Sequence, residues 1–188
     1  VLLGLVLVTG CAAWRPAPLP PEAESHRAKT ADGWEISLTR YRPVGPAKGR
    51  PVLLCHGIAA NERNMDLDAE HSMARWLAAQ GREAWTMSLR GTGRSDRPDA
   101  RAGRAPIRFD DFWQQDLPAA VRHVQAATGS AEVDYAGHSM GGLVLYAYLS
   151  QGGQGIGAAT TLGTPTRFDW GTPLDGVIAL SPKLIPAG

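Results

Sequence analysis

The sequence predicts an α/β fold, a mostly parallel sheet with helices on both faces. Three observations carry that expectation. From residue 52 onward, short apolar runs alternate with longer stretches whose apolar residues recur at helical spacing. Val52-Leu53-Leu54-Cys55 is apolar without alternation, the pattern of a strand covered on both faces. Glu132-Val133-Asp134-Tyr135-Ala136 reads as a buried strand, and Gly142 to Leu149 is mostly apolar, free of proline and long enough to be a helix. The turn between them is Gly137-His138-Ser139-Met140-Gly141.

The elements follow in order. Arg27 to Thr30 and Trp34 to Tyr41 flank Ala31-Asp32-Gly33, a hairpin signal. Pro43 to Pro51 reads as a loop. Asp68 to Gln80 predicts a helix containing His71, with Ala69, Met73, Trp76 and Leu77 inward and Gly81 as its stop. Glu83 to Leu89 is the next strand. Six arginines between residues 90 and 108 read as a solvated loop, with an anionic-lipid contact as the alternative. Phe109, Phe112, Trp113, Leu117, Val121 and Val124 mark a helix over Phe109 to Ala127, its aromatic stripe read as core. Asp110 is the expected N-cap, and Pro118 predicts a kink or two segments meeting there. Ile156 to Leu162 is a further strand, ending in Gly163-Thr164-Pro165.

At 188 residues the chain fits one domain, or most of one, and 44% hydrophobic with 20% charged residues is an ordinary globular composition. A net charge of +1 points to no nucleic-acid partner. Residues 1–10 stand apart. Val1 to Val8 is too short to span a bilayer and resembles the apolar region of a signal peptide, without the basic segment or initiating Met. The reading frame is therefore expected to begin upstream.

Val8-Thr9-Gly10-Cys11 resembles the lipobox of bacterial lipoproteins, which implies a lipid on Cys11 and attachment to the membrane without a spanning helix. A plain secretory signal with an incidental cysteine, or a membrane-facing stub, is the alternative. Ala12, rather than Asp, leans toward the outer membrane by that resemblance. Residues 11–26 then form the lipidated Cys and a Pro-rich, semi-rigid tether, and residues 27–188 the domain. Cys55 is read as a small core residue, so with Cys11 acylated no disulfide is expected.

Gly137 to Gly141 has the G-x-S-x-G form of a nucleophile elbow, in the strand-turn-helix setting that motif requires. Side chains at Gly137 or Gly141 would collide as strand and helix close around Ser139. The bland alternative is a glycine-rich turn that happens to hold a serine. Two more landmarks precede it in order. His56-Gly57 ends the 52–55 strand, and Leu89-Arg90-Gly91-Thr92-Gly93-Arg94-Ser95 follows the next one.

With these three landmarks, residues 28 to 170 resemble an α/β-hydrolase. The stretch from Phe109 to the elbow is similar to acid lipases, although Met140 stands where those usually carry Gln. The resemblance implies that Ser139 attacks an ester carbonyl and forms an acyl-enzyme. The oxyanion would sit on the backbone N–H groups of Met140 and Ile58, with Gly57 allowing close approach. His56 and His138 are expected to orient backbone rather than move protons. His26, His71 and His123 are read as structural or solvent-facing. No histidine cluster has metal-ligand spacing, so neither metal nor cofactor is expected.

Dehalogenases and many epoxide hydrolases of this fold resemble it with Asp at the nucleophile, which Ser139 disfavours. Substrates are expected to be small-molecule or lipid esters. The alternative is a non-catalytic surface lipoprotein that uses the fold for binding or structure. In the family the triad runs Ser, then Asp or Glu, then His. After Ser139 the sequence has no His, and Asp169 is the candidate acid of a variant arrangement. The expectation is therefore a chain truncated at both ends, with its C-terminal strands missing and an exposed sheet edge.

Overall fold

The computed structural model describes residues 18–99 and 106–166. Among the described residues six strands form one sheet: β1 (Ala23–Lys29), β2 (Glu35–Tyr41), β3 (Val52–Cys55), β4 (Ala84–Ser88), β5 (Val133–His138) and β6 (Ile156–Leu162). Their order is β1-β2-β4-β3-β5-β6. The β1–β2 and β2–β4 pairs are antiparallel, and the other three are parallel. The helices are α1 (Met73–Ala79), α2 (Phe109–Asp111), α3 (Leu117–Thr128) and α4 (Met140–Ser150).

Successive strand residues point to opposite faces, which explains the unbroken apolar run in β3. Leu53 and Cys55 join Trp85, Tyr135, Leu117, Val121 and Val144 in the larger core. Val52 and Leu54 join Tyr41, Ala74, Ala78 and Ala136 in the smaller one. Burial pushes the Cys55 thiol up to about 12, so it is a neutral apolar group.

Several expectations need correction. The sheet begins at Ala23, inside the stretch 11–26 read as tether. Ala23 pairs with Tyr41, the Glu24 carboxylate accepts from Arg42, and the His26 ring lies 4.7 Å from Trp85. The helix expected over 68–80 starts only at Met73. The Asp68 carboxylate accepts the amides of Glu70 and His71 in a turn, and Ser72 caps α1 through the Arg75 amide. His71 is therefore in that turn. The buried stripe of α1 is Ala74 and Ala78, while Trp76 is 62% exposed.

Asp110 is not the N-cap of α2. That position is Arg108, whose amide donates to Asp111, while Asp110 accepts from the Trp113 indole. At Pro118 two segments meet, as expected: α3 begins at Leu117, with Pro118 in its first turn. A π-helical turn, Phe112–Asp116, joins α2 to α3. The wider turn accommodates a ring that would otherwise strike the carbonyl four residues earlier.

Arg90 is the largest departure. It is 2% exposed rather than part of a solvated loop. Its backbone N–H and Nε donate to Asp116 at 2.9 and 2.8 Å, and its other two nitrogens grip Asp32 at 2.6 and 3.0 Å. The guanidinium also lies 4.7 Å from the Trp34 ring. Residues 100–105 of the same stretch lie outside the described residues.

Candidate active site

The parallel register brings Cys55 beside Gly137, so β3 and β5 end together and their following loops meet. Ser139 occupies the turn at φ 49° and ψ −113°, a conformation L-residues rarely adopt. Hydrogen bonds hold it there. Its amide donates to the Leu162 carbonyl at 2.9 Å, and its carbonyl accepts from the Gly142 amide at 3.0 Å and Thr164 Oγ1 at 3.1 Å.

The glycines permit the close packing. A Cβ on Gly137 would lie 2.6 Å from the Gly141 carbonyl carbon, and one on Gly141 would lie 2.7 Å from the Cys55 oxygen. The first turn of α4 is thus pressed against the end of β3. Buried Tyr135 secures it by donating its hydroxyl to the Gly141 carbonyl at 2.8 Å. Met140, at the first position of α4, has an N–H with no acceptor inside its own helix.

Gly57 faces the serine. A Cβ there would stand 3.2 Å from Ser139 Cβ and 2.9 Å from His138 Nδ1. Ile58 follows directly, 71% exposed at the same end of the sheet. The structure therefore gathers Gly57, Ile58, Gly137, Ser139, Met140 and Gly141 at one place. Cys11 and Asp169 lie outside the described residues.

A serine forced to positive φ between a parallel strand and a helix, faced by the glycine loop of the neighbouring strand, is the decisive feature. The family model described as the alpha/beta hydrolase fold matches residues 50–186. The chain belongs to the α/β-hydrolase family. It is 33% identical to triacylglycerol lipase 2 of Arabidopsis thaliana over 146 residues, 70% of this chain and 34% of that protein. It is 28% identical to a triacylglycerol lipase of Burkholderia plantarii over 156 residues, 82% of this chain and 39% of that one. The chain thus spans well under half the length of these relatives. Among solved structures, an esterase from Exiguobacterium antarcticum superposes with a TM-score of 0.61 at 22% identity, covering 85% of this chain and 55% of that one. That likeness concerns the fold.

The histidines of this α/β-hydrolase are all held by other partners. His56 is fully buried, its Nδ1 2.8 Å from the Gly57 carbonyl and its Nε2 3.1 Å from both the Leu89 amide and Thr92 Oγ1. Burial lowers its pKa, which keeps the ring neutral. His138 Nδ1 lies 2.9 Å from Asn64 Oδ1, and that oxygen also accepts the Gly57 amide at 3.2 Å. His123 Nε2 lies 3.3 Å from His26 Nδ1 on the sheet face under α3, and His71 pairs with Asp68. Among the described residues, no group of three or more His, Cys, Asp or Glu is placed to hold a metal ion.

Sequence reasoning missed Asn64, Thr164 and the Arg90–Asp116 pair. Asn64 sits in a single 3₁₀ turn, Glu62–Asn64, whose Asn61 N-cap was the one available local signal. Thr164 and Asp116 act across 25 and 26 residues, where no local pattern marks them.

Proposed function

We propose that the protein is a serine hydrolase of carboxylic esters, with Ser139 as nucleophile and lipid esters as the substrate class. Ser139 Oγ gives its proton to a general base as it attacks the ester carbonyl carbon, and the new O–C bond turns the carbonyl oxygen into an oxyanion. The N–H groups of Met140 and Ile58 would bind that oxygen, aided by the positive end of α4. Collapse expels the alcohol, which takes up a proton, and water then hydrolyses the acyl-enzyme to the acid and free serine. Triacylglycerol lipases among the relatives support the substrate class.

The observation that carries this reading is the strained Ser139 facing Gly57, since a binding module has no use for such a conformation. In this reading a lipid on Cys11 attaches the enzyme to the bacterial envelope, on the outer membrane, beside its substrates.

The test uses protein expressed from the gene's entire reading frame, because Ser139 needs a base within hydrogen-bond reach. A fluorophosphonate probe should label the wild type and not Ser139→Ala, and S139A should lose about 10³-fold or more in ester turnover while remaining folded. Labelling that survives in S139A, or a folded wild type that neither labels nor hydrolyses esters, would favour the non-catalytic reading.

A further inference from the structure

We propose that His56 and Asn64 are positioning residues that clamp the Gly57–Ile58 peptide, so that the Ile58 N–H is aimed before any oxyanion forms. The proposal rests on the esterase reading and adds residues that the reading does not need.

Two backbone amides, which can only donate, settle the roles of the side chains facing them. The Leu89 N–H points at His56 Nε2, so Nε2 is the acceptor and the proton of the neutral ring is on Nδ1. Nδ1–H then donates to the Gly57 carbonyl at 2.8 Å. The Gly57–Ile58 peptide is trans, so this C=O and the Ile58 N–H lie in one plane and point in opposite directions. Fixing the carbonyl fixes the direction of the N–H.

The second hold acts one peptide earlier. The Gly57 N–H donates to Asn64 Oδ1 at 3.2 Å, which makes that atom the carbonyl oxygen of the amide. His138 Nδ1, 2.9 Å from the same oxygen, must therefore carry a proton and donate it. One oxygen thus ties the loop bearing Ile58 to the residue preceding Ser139.

Asn64 is itself well placed to serve as a fixed point. Its amide donates to the Asn61 carbonyl at 2.9 Å, and Asn61 Oδ1 caps the turn through the Arg63 amide at 3.0 Å. The neighbouring Glu62 carboxylate accepts from Ser88 Oγ, which anchors the turn to the end of β4. Donors held in this way need no reorganisation when charge develops on the substrate, which is where such groups lower a barrier.

Three measurements on the full-length protein test the clamp: steady-state ester hydrolysis, ¹⁵N NMR of the histidine rings, and hydrogen exchange of the Gly57 amide. Asn64 is exposed, so Asn64→Leu should fold. N64L should lower kcat about 10-fold with KM within about 2-fold, because a misaimed donor weakens transition-state binding only. It should also speed exchange at Gly57. N64D keeps an acceptor oxygen and should restore slow exchange and part of kcat. In the wild type, His56 should carry its proton on Nδ1. A wild-type kcat in N64L, or a His56 proton on Nε2, would overturn the clamp. If the wild type shows neither turnover nor fluorophosphonate labelling, the esterase reading fails by itself. The ring tautomer and Gly57 exchange then judge the clamp alone: Nδ1–H with exchange accelerated in N64L supports it, and either result reversed overturns it.

Discussion

Ser139 is the residue on which the proposed chemistry rests, and it is held in a backbone conformation that its Cβ opposes. Such a conformation costs on the order of 1–3 kcal/mol and persists because neighbours over-determine it. Here those neighbours are the Leu162 carbonyl, the Thr164 hydroxyl and the glycines that let β5 and α4 close. The strain is measurable without any substrate. Glycine tolerates positive φ, so Ser139→Gly should be more stable than S139A by about 1 kcal/mol, although glycine gains freedom in the unfolded chain. Urea unfolding of the two variants checks this, and an S139G no more stable than S139A would show that the turn is not strained.

At the scale of elements, the π-helical turn before Pro118 does more than absorb a proline. It delivers the fully buried Asp116 carboxylate to Arg90 at the end of β4. Arg90 carries the link onward to Asp32, in the turn between β1 and β2. One guanidinium thus joins three elements. Burial pushes the Asp116 carboxyl up to about 6 while the Arg90 donors favour its charged form, so the pair is intact at neutral pH. Asp116→Ala leaves a buried cation short of a partner, which costs about 3–5 kcal/mol where such pairs have been broken. Equilibrium denaturation should show a loss in that range. A loss below about 1 kcal/mol would mean that the pair behaves as an exposed one. Local charge density made Arg90 read as part of a solvated loop, because its partners lie 58 and 26 residues away.

At the scale of the whole molecule, the chain joins the sheet at Ala23, and the lipid proposed on Cys11 precedes that point in the sequence. Expression of the entire reading frame in bacteria with labelled palmitate should label the wild type and not Cys11→Ser. An unlabelled wild type recovered in the soluble periplasmic fraction would contradict the anchor. The parallel sheet, the elbow and the candidate nucleophile were legible in the sequence, since each depends on neighbours a few residues apart. Strand residues bury on alternate faces, and a strand-to-helix turn around a serine needs its glycines close in the chain. The extent of α1 was misread because caps at Asp68 and Ser72 outcompeted apolar spacing. The Asn64 bridge, the burial of Arg90 and the tautomer of His56 were decided only by tertiary structure. A charge or a ring proton settles according to the donors and acceptors that packing brings to it, and for these three residues those groups come from distant parts of the chain.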